Sequence, residues 1–242
     1  MSKLFLVSLR NGEIGADVAQ AEYNDVLKAT KLDQSAIELC HISDEHAQLS
    51  SLDSVNGVIV GGCSLNVSDE HTSAWAQHVD AVLTEVVESG KPVFFVCFGT
   101  SWLVHYLGGS IVRTHPEDSG PTQVALSDAG KRDAILQGIP QSFTALTGHT
   151  ENPDETALPP SLEVLAVGSS CPVQMVRYGD HVWATQFHAE MDAQAMQTRM
   201  DFFADYGYFS PEDYDAIVKG LPLHDVSWAN RILESFAQYC AG

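Results

Sequence analysis

The sequence predicts an α/β fold, an open and mainly parallel sheet with helices on both faces. Three observations carry this. Short β-branched or aromatic runs alternate with stretches of helical period through the first half of the chain, the pattern of βαβ units. One run, Val93-Phe94-Phe95-Val96, is apolar at every position, as a central strand covered on both faces must be. Gly61-Gly62, Gly90-Lys91-Pro92 and Gly108-Gly109 punctuate the runs as turns.

Taken in order, Leu4 to Leu9 reads as the first strand. Val18 to Leu32 reads as a helix, because Val18, Ala21, Glu22, Val26 and Ala29 recur at turn spacing. Ala36 to Ile42 and Val55 to Val60 are the next strands. About Asp69 to Ser89 is helical in period through Trp75, Val79, Val82, Leu83 and Val86, with Ser68-Asp69-Glu70 as its capped start. The central strand then runs straight into Cys97-Phe98-Gly99, and Thr100 to Leu107 forms a short helix closed by Gly108-Gly109. From Ser110 to about Val182 the runs shorten between prolines and glycines, which suits a small antiparallel ribbon. Val182 to Phe187 is the last strand, ending at His188. Beyond it come helices around Ala193 to Tyr206, after Ser210-Pro211-Glu212-Asp213, and from Ser227 to Tyr239. With no repeat and no composition break, residues 1–242 read as a single domain, a core of about 1–191 with a helical C-terminal extension of about 192–242.

Charge narrows the function. The 242 residues hold 32 Asp+Glu against 12 Lys+Arg, a formal net charge of −20, and such a field repels nucleic acid and anionic membrane surfaces. No apolar run approaches the roughly 20 residues that span a bilayer, and the N-terminal segment lacks the flanks of a signal peptide, so a cytoplasmic protein is expected. Cys40, Cys63, Cys97, Cys171 and Cys240 are odd in number and scattered, which argues for free thiols over a disulfide framework or a zinc site. No metal and no cofactor is expected. There is no phosphate-binding G-x-x-x-x-G-K-[ST] loop and no adenylating Ser-Gly-Gly-x-Asp-Ser loop, so the chain alone is not a complete amide-forming synthetase.

The chemistry centres on Cys97. A cysteine between a buried strand and a helix N-terminus stands where a thiolate is favoured and can face a substrate, and Gly99 permits the close approach that so sharp a turn needs. The amide of Phe98, one residue on, would face an oxyanion, as would a backbone amide at Gly61-Gly62. Of ten histidines, His188 follows an apolar strand directly and has Glu190 two residues later. On extended backbone such residues project to one side, roughly 6–7 Å apart, so the carboxylate can reach the imidazole. Each feature also has a structural reading, as a core cysteine, a plain turn and a polar strand end.

Together, Gly61-Gly62, the run Lys91 to Gly99 with Leu107-Gly108-Gly109, and Ala184 to Glu190 resemble the class I (triad) glutamine amidotransferases. Gly148-His149, Leu162 to Ala166, Ser170 to Gln174 and Gln186-Phe187-His188 are most similar to the glutaminase domains of guanosine monophosphate synthetases. The resemblance implies a flavodoxin-like sheet and a triad of Cys97 as nucleophile, His188 as base and acid, and Glu190 as its orienter. It implies an oxyanion hole at the amides of Gly62 and Phe98, and substrate contacts at Ser101 and His149. It further implies hydrolysis of glutamine through a γ-glutamyl thioester, with ammonia passing to a separate synthetase partner. Three positions depart from the family pattern: Phe95 and Ser101 replace the usual glycine and glutamine around the nucleophile, and Ala189 replaces a proline. Phe95 is expected to crowd the turn, and Ser101 removes a substrate amide contact. A γ-glutamyl compound hydrolysed by the chain alone, or a catalytically silent module of the same fold, are therefore the alternative readings.

Overall fold

The computed structural model describes residues 3–204 and 208–242. Strands β1 (Leu4–Ser8), β2 (Ile37–His41), β3 (Gly57–Val60) and β4 (Val93–Val96) alternate with helices α1 (Gly15–Thr30) and α2 (Ala74–Glu88), and β4 leads into α3 (Phe98–Tyr106). The later strands are β5 (Ile111–Val112), β6 (Glu117–Leu126), β7 (Ser142–His149), β8 (Asn152–Pro153), β9 (Leu162–Gly168), β10 (Met175–Tyr178) and β11 (Val182–Thr185). Helices α4 (Ala193–Phe202), α5 (Tyr214–Gly220) and α6 (Ser227–Ala241) follow.

Nine strands form one sheet in the order β2-β1-β3-β4-β11-β10-β9-β6-β7, and β5 pairs with β8 in a small antiparallel sheet. The half from β2 to β11 is parallel, as the βαβ reading requires. The middle segment is antiparallel, as expected, but four of its strands are hydrogen-bonded onto the parallel half and extend it, so the ribbon is part of the main sheet.

Side-chain alternation explains the layering. In β1 and β4, Leu4, Leu6, Phe94 and Val96 face one apolar layer with α1 and α6, while Phe5, Val7, Val93 and Phe95 face the other, with α2 and α3. A third cluster joins Met191, Met196, Met200 and Phe209 to Leu146, Leu221 and Val226. Helices α4 and α5 thus have a core of their own, set against the end of β7, while α6 packs on the main sheet.

Two helix boundaries move for identifiable reasons. The α2 helix starts at Ala74 because Ser73 caps it, its hydroxyl accepting from the Ala76 amide at 3.1 Å. Ser68 and Asp69 lie in the preceding loop, bound to Glu151 and Arg113. Ser210 makes no side-chain cap, and Pro211–Asp213 form a 3-10 turn ahead of α5. The predicted helix to Tyr206 is observed as far as Phe202, and Tyr206 itself lies outside the described residues. Among the described residues no helix is long and apolar enough to cross a membrane.

Candidate active site

Cys97 occupies the turn from β4 into α3 with φ 53° and ψ −99°, a left-handed conformation that costs a non-glycine residue about 1–3 kcal/mol. The surroundings hold it there: its amide donates to Thr185 O at 2.7 Å and its carbonyl accepts from Thr100 N at 2.9 Å. The thiol points toward the end of β7, 3.8 Å from Gly148 O. As the first residue of α3, Phe98 has an amide with no partner inside the helix.

Phe95 does not crowd this turn. A side chain on Gly99 would come within 2.6 Å of Phe95 Cβ and Cδ1, so the ring fills the space that the missing side chain leaves. It continues onto Trp102 with ring centroids 5.8 Å apart.

His188 leaves β11 beside the same turn, its amide donating to Leu146 O at 2.8 Å. Its Nδ1 is 2.7 Å from Glu190 Oε1, so the two-residue spacing makes the contact that the sequence suggested. Burial pulls the imidazole pKa down, but the Glu190 carboxylate and the hydrogen bond with Cys97 outweigh it and raise the pKa to about 10. Glu190 itself is held low against burial by His188, with help from Arg199. With Nδ1 committed to Glu190, Nε2 is the nitrogen left for Cys97 and a substrate.

Gly62 closes the constellation. A methyl group placed on it would lie 3.4 Å from His188 Cε1, 3.4 Å from Arg10 Nη2 and 4.0 Å from Cys97 Cβ. Ser101, one turn along α3, lines the same cleft. His149 is near but differently employed. Its Nδ1 is 2.9 Å from Glu151 O and its Nε2 2.9 Å from Glu117 Oε2, which leaves neither ring nitrogen for a substrate. The ring holds the end of β7, and Glu151 in turn accepts from the Val67 and Ser68 amides at 2.8 and 3.0 Å, fixing the loop that follows Gly62.

Glu117, His149 and Cys171 offer ligand atoms within 4.8 Å of one another, a set in which a metal could be sought. Each is already engaged. Glu117 accepts from Thr122, Thr147, His149, Ser170 and Gln174, and the Cys171 thiol donates to Val173 O at 3.6 Å. The cluster reads as a saturated hydrogen-bond hub.

Sequence reasoning missed Arg10 and Glu22. Arg10 lies at the end of β1 in the wall of the cleft, 2.9 Å from Glu22 Oε1, while Ser8 donates to Glu22 Oε2 at 2.5 Å. The signal was present: Glu22 is a carboxylate within the apolar row of α1, and a buried carboxylate needs a partner. The pair also explains the first glycine of Gly61-Gly62, because a side chain there would overlap the Glu22 carboxylate. Gly61→Ala should destabilise the fold by about 2–3 kcal/mol in a denaturant titration.

The lining of the cleft includes polar Ser64, Asn66, Thr150 and Glu151, the cations Arg10 and Arg199, and apolar Met191, Met196, Met200, Phe203 and Phe209.

The glutamine amidotransferase class-I family model matches residues 19–204, more than half of the chain. A glutamine-hydrolysing GMP synthase of Aeropyrum pernix is 28% identical over 151 residues, covering 62% of this chain and 28% of that protein. Another, from Thermomicrobium roseum, is 36% identical over 107 residues, 44% of this chain and 19% of that protein. The chain thus spans less than a third of the length of these relatives. A solved glutamine amidotransferase of Thermotoga maritima superposes with a TM-score of 0.77 at 16% identity, covering 99% of this chain and 97% of that one, a likeness of fold.

Proposed function

The chain belongs to the class I glutamine amidotransferase family, and we propose that it is a cysteine amidase acting on the γ-carboxamide of a glutamyl group, free glutamine being the simplest such substrate. The observation that carries this reading is the strained Cys97 set against the His188–Glu190 pair. Cys97 passes its thiol proton to His188 Nε2 as Sγ attacks the amide carbon, and the oxyanion meets the amides of Gly62 and Phe98. The imidazolium of His188 gives its proton to the departing nitrogen, leaving a γ-glutamyl thioester. Water, deprotonated by His188, then cleaves the thioester and frees glutamate and the thiol. Glu190 keeps Nδ1 protonated and balances the imidazolium charge. With glutamine the other product is ammonia, available to a separate synthetase, the arrangement that likeness to the GMP synthases suggests.

Incubation with glutamine and with γ-glutamyl dipeptides should release glutamate with ammonia or the free amine. Cys97→Ala should lower turnover by on the order of 10⁴-fold or more; retained turnover would overturn the assignment. An electrophilic glutamine analogue should label Cys97 ahead of Cys63, Cys171 and Cys240, whose thiols burial pushes up to about 11, 12 and 12.

A further inference from the structure

We propose that Arg10 and Tyr208 form a carboxylate-binding subsite beside Cys97, so that the amide this chain cleaves is recognised through a carboxylate it carries; the inference rests on the amidase reading above. Both residues line the cleft that holds Cys97 and His188. Both also lie outside 19–204, the stretch that matches the family, so the triad does not account for them.

Their positions are linked through one ring. Arg10 stands just beyond β1 and is 7% exposed. Its Nη2 and His188 Cε1 approach the same point on Gly62, each 3.4 Å from where a side chain there would begin. The guanidinium is therefore held next to the nucleophile's immediate surroundings. Its Cζ lies 5.6 Å from the centre of the Phe203 ring, and Phe203 in turn meets Tyr208 edge-on, with ring centroids 6.3 Å apart. The Tyr208 backbone is tied to β6, its carbonyl accepting from Ser119 N at 2.9 Å.

Both polar heads have donors to spare. Arg10 Nη2 gives one N–H to Glu22 at 2.9 Å, while Nε is a buried donor with no partner among the described residues. A residue present only to pair with Glu22 would carry that orphan donor at a cost. The Tyr208 hydroxyl likewise has no hydrogen-bond partner among the described residues. Burial, reinforced by the charge at Cys97, pushes its pKa up to about 12, so the phenol keeps its proton and stays a donor at neutral pH. The carboxylates nearby are committed, Glu22 to Arg10 and Ser8, and Glu151 to the Val67 and Ser68 amides.

A cation and a neutral donor with no acceptor between them suit a ligand group that only accepts and carries negative charge, which is a carboxylate. The formal net charge of −20 adds a reason, because a protein that repels anions over its surface needs a cation at the site to hold an anionic substrate. A γ-glutamyl amide offers a carboxylate in two places: the α-carboxylate of the glutamyl half, and one borne by the amine that leaves.

The test measures kcat and KM for two pairs of amides on the full chain, following ammonia or amine release by wild type, Tyr208→Phe, Arg10→Lys and Cys97→Ala. Glutamine is compared with its α-methylamide, and γ-glutamylglycine with γ-glutamylglycinamide, so that each pair differs by one carboxylate. In wild type, kcat/KM in one pair should be at least tenfold higher for the carboxylate member. Tyr208→Phe, which keeps the ring against Phe203, should raise KM for that member about tenfold and for its neutral counterpart less than twofold. Arg10→Lys, which keeps a charge beside Glu22 and loses the fork, should do the same. A response in the first pair assigns the α-carboxylate to the subsite, and a response in the second assigns the carboxylate of the leaving amine. Wild-type preference below tenfold in both pairs, or a KM that Tyr208→Phe leaves unmoved or moves equally within each pair, overturns the inference and leaves the amidase reading standing. Absence of Cys97-dependent release from all four amides overturns the reading and the inference together.

Discussion

Glu190→Gln should lower kcat on the order of 10³–10⁴-fold while leaving the fold intact, because it keeps the shape of the side chain and removes the charge that orients and stabilises the imidazolium. The same substitution should move the pH profile. In the wild-type protein, burial opposes the charged imidazole, but the Glu190 carboxylate and Cys97 raise the His188 pKa to about 10. The proton needed by the leaving nitrogen is therefore held through neutral pH and lost only as pH climbs toward that value. Without the carboxylate, burial is opposed by Cys97 alone, and the alkaline limb of kcat/KM should shift to lower pH. Stability must follow the same titration. A histidine whose folded pKa lies above its unfolded value of 6.5 contributes stability that is complete below about pH 6.5 and is lost as pH rises toward 10. Unfolding free energies measured between those limits should fall in wild type and fall less in Glu190→Gln. A flat profile in wild type would mean that His188 is not coupled to the pair as described.

The parts of this molecule legible in the sequence are those written in local pattern. Alternating runs gave the parallel half of the sheet, because strands buried on both faces have no choice but to be apolar. The turn at Cys97 and the spacing of His188 from Glu190 could be read because each is short-range: one is a strand-to-helix junction, the other an i,i+2 contact. What escaped depends on contacts across the chain. Arg10 meets Glu22 only because β1 and α1 pack together, and Phe95 is harmless only because Gly99 leaves it room. His149 resembled a substrate contact by its place in the sequence, yet Glu117, 32 positions away, takes one of its ring nitrogens. The apolar lining is the extreme case. Its methionines show no cofactor-like stripe in the sequence, and only folding the segment after β11 back over the end of β7 gathers them with Leu146 and Phe209.

Glu117→Ala should produce the largest loss of stability, about 3–5 kcal/mol in chemical denaturation, although the residue touches neither Cys97 nor His188. Its Oε1 accepts from Thr122 at 2.5 Å and from Ser170, and its Oε2 accepts from His149 and Gln174, each at 2.9 Å, and from Thr147 at 3.3 Å. Removing the carboxylate strands all five donors in a largely buried space, which costs more than the sum of ordinary net hydrogen bonds. Ser170→Ala removes one of the five and should cost only about 1 kcal/mol. Acid should reproduce part of the loss. Burial alone would raise the Glu117 pKa, but His149, Ser170, Thr122 and Gln174 hold it down to about 2. Its contribution is therefore complete above about pH 4.5 and disappears as pH falls toward 2, a decline that Glu117→Ala should lack. The damage should also reach the chemistry through a chain of contacts. Glu117 holds His149, His149 holds the Glu151 carbonyl, and the Glu151 carboxylate holds the Val67 and Ser68 amides of the loop after Gly62. Glu117→Gln, which keeps one acceptor oxygen but turns an NH₂ toward donors, should fall between the two in stability. If Glu117→Ala folds with wild-type stability, the five-bonded carboxylate is not what secures the end of β7.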